Sequence, residues 1–253
     1  MRTAMKQLLP AALSALALAL AAVPAAAQVS NGNFNGLDGW STGGDAAAVG
    51  GHLVLTTASA SQQDDADAGL SAGARNVSGN EPLAAGGGPG SLEEFAGVSA
   101  GAFDPDPADF VVAYEGSAAS QSFFAAAGSQ LAFMWDLGTL DTRHDASVAD
   151  VAFIVLDGQV ITLGSTLSAT SPIAGGDDAT HTGWTGFTTT FANGGTHTIS
   201  FGVADVGDYA DTSALSVSDV GVVIPSVPEP SSLALLAAGL GLLGVQARRR
   251  RIR

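Results

Sequence analysis

The 253-residue chain has no cysteine. No disulfide can staple it, and thiolate metal ligation and thiol redox chemistry are closed to it. Basic side chains are nearly as scarce in the central part. Residues 28–227 hold only Arg75 and Arg143 against 23 of the 24 acidic residues, a formal charge of −21. Such a body repels nucleic acid and anionic lipid, so no nucleic-acid partner is expected, and it attracts cations, calcium included. Lys and Glu are rare there, which disfavours long amphipathic helices. The abundant Ala, Gly, Ser, Thr and Asp suit short strands joined by tight turns.

Chemical signatures are missing too. His52, His144, His181 and His197 form no HExxH pair, and no Gly-x-x-x-x-Gly-Lys loop or twelve-residue EF-hand loop occurs. The densest polar cluster, Asp141-Thr142-Arg143-His144-Asp145, falls between two expected strands, where a charged loop is the ordinary outcome. A glycosidase needs two placed carboxylates, but among 23 acids some pair always looks suitable. The body is therefore expected to be non-catalytic, with a secreted hydrolase the weaker alternative.

Both ends read as targeting segments. Arg2 and Lys6 precede an apolar run over 8–23, and Pro24-Ala25-Ala26-Ala27 supplies a small-residue cleavage site. Residues 1–27 are thus expected to be a secretory signal peptide, leaving Gln28 first. At the other end, Val227-Pro228-Glu229-Pro230 is followed by 17 uncharged residues, 231–247, and then by Arg248, Arg249, Arg250, Arg251, Ile252 and Arg253. As a helix that run reaches about 25 Å against about 30 Å of hydrocarbon, a marginal transmembrane span. The arginines place its end on the cytoplasmic side and the body outside. The ordered set of proline pair, apolar run and basic stop resembles the PEP-CTERM sorting signal of Gram-negative bacteria. That resemblance implies an exosortase and the export machinery as partners, inner-membrane anchoring during sorting, and delivery to the cell surface or extracellular matrix. It also associates the protein with exopolysaccharide and biofilm.

Between the ends, about 200 residues suit one all-β domain, 28–224. Strands are expected at 52–57, 110–114, 120–126, 130–137, 148–156, 159–163, 186–191, 196–203 and 215–223. Asp157-Gly158 marks a hairpin, and Asn193-Gly194-Gly195 a second turn. In 196–203, Thr196, Thr198 and Ser200 alternate with His197, Ile199, Phe201 and Val203, as a half-buried strand requires. About nine strands and no convincing helix point to a two-sheet β-sandwich of jelly-roll type. The Gly-rich stretch 69–101 reads as a long loop with one helical turn near 92–95.

Asn31-Gly32-Asn33-Phe34 through Gly39-Trp40, with the closing stretch 208–223, resembles the first and last strands of carbohydrate-binding-module-like jelly rolls. The acid that often follows the opening Phe is Asn35 here. The resemblance implies that the two terminal strands pair, and that Asn33, Asn35 and Asp219 hold a structural calcium between them. Other acidic clusters, such as Asp64-Asp65-x-Asp67 and Asp205-x-x-Asp208-x-x-Asp211, read as solvated turns. Sugars stack on exposed aromatics. Trp135 sits in an apolar strand and reads as core, while Trp184, after a turn-like His181-Thr182-Gly183, and Tyr209, in an acidic loop, are the candidate platforms. The expected function is that of a non-catalytic exported surface or matrix protein, with a dedicated carbohydrate-binding module as the alternative.

Overall fold

The computed structural model describes residues 28–141, 145–173, 179–223, 239–241 and Arg248. The expected signal peptide, the Val227–Pro230 motif, most of the 231–247 span and the arginines after Arg248 lie outside these residues, as do Arg143 and His144.

Two antiparallel sheets face each other, as expected for a β-sandwich. The first runs β1 (Ser41–Gly43), β5 (Ala113–Ala125), β12 (Gly195–Val206), β7 (Val151–Leu156) and β8 (Gln159–Ser165), with β4 (Leu83–Ala84) also on β5. The second runs β2 (Asp45–Val49), β3 (His52–Thr56), β13 (Ser213–Val223), β6 (Gln130–Thr139), β10 (Thr180–His181) and β9 (Ser171–Pro172), with β11 (Thr185–Thr190) on the other half of β6. Alternation explains the seam between them. Leu53, Leu55, Leu131, Phe133, Trp135, Leu137, Leu215 and Val217 point inward from the second sheet and meet Ile154, Ile199, Phe201 and Val203 of the first. Trp135 is core, as its strand predicted.

The first sheet is covered on its outer side as well. The Gly-rich stretch carries β4 and α1 (Leu92–Ala96), which is capped by Ser91 and ends at Gly97 in the left-handed region. Leu92, Ala96 and Phe103 pack on Ala113, Ala118, Phe153, Val155 and Ala204 in a second apolar layer. Glu93 is fully buried and accepts backbone N–H bonds from Gly86 (2.9 Å), Gly87 (3.2 Å) and Gly101 (3.4 Å), which ties the loop shut. This cover ends the alternation expected in β12: after Thr198 every residue through Val206 is buried.

Three expectations are corrected. Residues 110–114 and 120–126 do not form two strands. Phe110 is 87% exposed at a positive φ of 62°, and β5 then runs unbroken for 13 residues. Residues 148–150 precede β7 rather than belonging to it, since Val148 closes a short 3-10 turn. The opening segment is a turn, not a strand. It meets β13 through one bond, from the Val220 N–H to the Gly32 carbonyl (2.9 Å), while β13 itself pairs with β3 and β6. Trp40, with its ring 5.3 Å from Phe34 and 5.7 Å from Phe201 and tilted 42° to each, plugs the core at that end.

Candidate functional site

Among the described residues, the outer face of the second sheet has no apolar cover like that on the first. Residues between the inward-pointing ones form its floor: His52 and Val54 on β3, Ala214, Ser216 and Ser218 on β13, and Met134, Asp136 and Gly138 on β6. β6 changes edge partner from β10 to β11 at residues 182–184. The change is pinned at both backbone groups of Leu137, whose N–H donates to Thr182 Oγ1 (3.0 Å) and whose carbonyl accepts the Thr182 N–H (2.9 Å). Gly183 then turns through a positive φ of 75°. The chain thereby lays Trp184 across the floor against His52, with ring centroids 4.9 Å apart and planes at 38°. Trp184 remains 45% exposed.

Beside this platform, Asp136 binds two groups of the β10 segment. Its Oδ2 lies 2.8 Å from His181 Nδ1, and its Oδ1 accepts from Thr182 Oγ1 at 3.1 Å. Further along the same face is a groove of about 330 Å³, floored by Val54, Gly138 and Ala214 and walled by residues 74–77 on one side and by Ile173 and Ala179 on the other. Its volume is at the low end for small-ligand sites. The 74–77 wall is held by Asp45. This fully buried carboxylate accepts from the Val77 N–H (2.9 Å), the Ser78 N–H (2.7 Å), Ser78 Oγ (2.7 Å) and the Thr56 hydroxyl.

The face thus combines one exposed indole, a carboxylate, two imidazoles, hydroxyls and an apolar groove. Such a set can stack a sugar ring and hydrogen-bond its hydroxyls. Sequence reading singled out Trp184 but missed Asp136 and Asp45. Asp136 sits in an apolar strand, and its partners are about 45 positions away.

Tyr209 is 50% exposed but belongs elsewhere. It packs 4.9 Å from Tyr114 of β5, so the two predicted platforms do not form one strip. Carboxyl groups crowd the neighbourhood of Tyr209. Burial, reinforced by Asp64 and Glu81, raises Glu115 to about 7. Asp150 and Asp205, both 2% exposed, are also driven upward by burial first, and Asp150 raises Asp205 further. Asp150 keeps bonds from the Val206 N–H (3.0 Å) and Ser213 Oγ (2.5 Å).

The calcium candidates Asn33, Asn35 and Asp219 are all exposed. The Gly32–Val220 bond brings the opening turn beside Asp219, which lies at a bulge with a φ of 55°. Among the described residues, no three His, Asp or Glu side chains converge as a metal cage. Among the described residues, two histidine–carboxylate pairs occur, Asp136–His181 and Asp157–His197 (2.6 Å). The second nitrogen of His197 faces the Asn193 carbonyl at 3.3 Å, not a nucleophile.

Residues 226–251 match the family described as the PEP-CTERM protein-sorting motif. The match spans the proline pair, the apolar run and most of the arginines, so the chain carries an export-sorting signal and is an exported protein with a β-sandwich body. No helix among the described residues is long and apolar enough to cross a membrane. Comparison with curated proteins gives no match. Among solved structures, TmCBM61 in complex with β-1,4-galactotriose aligns at 13% identity and a TM-score of 0.26, over 45% of this chain and 69% of that one. So loose a superposition carries nothing about a ligand for this chain.

Proposed function

We propose that the protein is a non-catalytic exported surface or matrix protein that holds exopolysaccharide on the outer face of its second sheet. Exosortase processes the tail, and the inner membrane anchors the chain through 231–247 until then. The observation that carries the polysaccharide reading is Trp184, half exposed and set against the His52 ring beside the Asp136–His181 pair. A sugar ring laid on the indole puts its hydroxyls within reach of these polar groups, and the groove beyond extends the contact along a polymer. The test is retention of the mature protein on the producing cell's own immobilised exopolysaccharide. Retention lost on Trp184→Ala supports the reading, and equal passage of both proteins through the matrix overturns it.

A structural calcium at Asn33, Asn35 and Asp219 is a second part of the proposal. It is supported by the docking of the opening turn on the bulge of β13. Extracellular calcium is millimolar, enough to fill weak sites. A cation bound only to the folded state raises the melting midpoint, so an unchanged midpoint at millimolar calcium rejects it.

A further inference from the structure

The first sheet carries three carboxyl side chains in one row. Glu115 of β5 stands opposite Asp205 of β12. On the other side of β12 the register with β7 ends at Ala204–Val151, so Asp150 falls one step further along, beside Asp205. Directly opposed residues share a face of the sheet. Val203, two positions before Asp205, packs in the core between the sheets, and alternation turns Asp205 the same way. The second sheet reaches this row through Ser213, whose Oγ lies 2.5 Å from Asp150 Oδ2 and 2.9 Å from Thr139 Oγ1.

Like charges side by side on neighbouring strands repel, and burial makes the repulsion worse. In sequence Asp205 reads as part of a solvated turn, but it is as deeply buried as Asp150. Asp150 is satisfied by the Val206 N–H and Ser213. Asp205 is not. Its Oδ1 is buried and has no hydrogen-bond donor among the described residues. The one arginine described between residues 28 and 223, Arg75, stands in the groove wall on the outer face of the other sheet. A buried carboxylate oxygen without a donor calls for a proton or a metal ion.

We propose that Asp205, Asp150 and Glu115 bind a calcium ion at this end of the sandwich, with Asp205 Oδ1 as its first ligand. The donor set selects the metal. The row offers carboxylates and a hydroxyl but no nitrogen or sulfur ligand, and oxygen-only sites suit calcium or magnesium. Magnesium demands a near-ideal octahedron, whereas calcium accepts irregular geometry and takes part of its about six to eight oxygens from backbone carbonyls and water. That tolerance is needed here, because no three acidic or histidine side chains among the described residues already converge as a cage. An exported domain also meets millimolar calcium. The ion neutralises the row and ties β5, β12 and β7 to Ser213 of the other sheet. Proton and cation compete for these oxygens, so the row keeps its protons in calcium-free buffer. The site is separate from the one at Asn33, Asn35 and Asp219, since Asp219 lies six residues beyond Ser213 on β13, about 20 Å along the strand.

The test is equilibrium dialysis of the detergent-solubilised full-length protein against millimolar calcium after chelation. Asp219→Asn disables the other calcium site, so what this variant binds reports the carboxyl row. It is expected to retain about one calcium per chain, and the double variant Asp205→Asn/Asp219→Asn to retain none. Equal binding by the two overturns the proposal. A wild type that binds calcium while Asp219→Asn binds none overturns it too, and leaves the other site standing. Asp205→Asn keeps the side-chain shape and removes a repelling charge, so its melting midpoint in calcium-free buffer is expected to be no lower than that of the wild type. Hydrogen exchange of the wild type needs no variant. Calcium is expected to slow exchange at residues 113–116 and 203–206; protection confined to 31–36 and 219–223 overturns the proposal.

Discussion

Trp184 rests on His52 although 132 positions separate them, with their rings 4.9 Å apart. The contact crosses the outer face of the second sheet. Ser218 of β13 and Met134 of β6 pair with each other in the same sheet. Most of the binding energy of a sugar at this face should pass through the indole ring. Trp184→Ala is expected to weaken polysaccharide binding about tenfold, some 1.4 kcal/mol, and to leave the fold intact. Tyr209→Ala, on the Tyr114 side of the molecule, is expected to change binding by less than about twofold. Affinity electrophoresis in gels cast with the polymer measures both.

The wall of the groove depends on Asp45. Its buried carboxylate takes four hydrogen bonds, so Asp45→Ala strands the buried Thr56 hydroxyl and releases the Val77 and Ser78 donors that tie the wall to β2. The expected cost is about 3 kcal/mol, against about 1 kcal/mol for Ser78→Ala, which removes one bond. Urea denaturation of the two variants distinguishes a rigid wall from a decorative loop. Similar small losses for both would mean that residues 74–77 are held by other contacts.

Stability is expected to fall as pH rises from about 4 to about 7. Glu115, Asp150 and Asp205 all have folded-state values above those of free carboxyl groups, so the folded protein keeps protons that the unfolded chain has released. Their contribution is fully present below the unfolded values near 4 and is lost as pH passes the folded values. The melting midpoint should be higher at pH 5 than at pH 8, and self-repulsion of the acidic body acts in the same direction. Asp205→Asn removes one such proton and should flatten the slope. A midpoint that climbs between pH 5 and pH 8 would contradict this.

The legible parts of the fold were those whose apolar residues alternate or cluster. The strands at 130–137, 159–163, 186–191 and 215–223 fall within or beside β6, β8, β11 and β13, and Asp157-Gly158 makes the expected hairpin. β1 and β2 were not legible. Ser41–Val49 is mostly Gly and Ala, poor strand formers without a face, and becomes strand only by pairing with β5 and β3. The small residues of β5 gave no signal for a similar reason. At Gly116 a side chain would strike the Val203 carbonyl of the adjoining β12 and Leu92 of the outer layer, so smallness there answers to the neighbouring strand and to α1. In the candidate site, Trp184 announced itself as an aromatic after a turn. Asp45, Asp136 and His181 gained meaning only from neighbours far away in the chain.

In the proposed function this acidic sandwich is exported and then released from its tail at the surface. The direct measurement is the intact mass of the protein from the producing bacterium's surface or matrix fraction. The expected mass runs from Gln28 to a C-terminus near Pro228–Glu229, with the apolar run and the arginines gone. A cytosolic species that begins at Met1 and still ends at Arg253 would contradict the account.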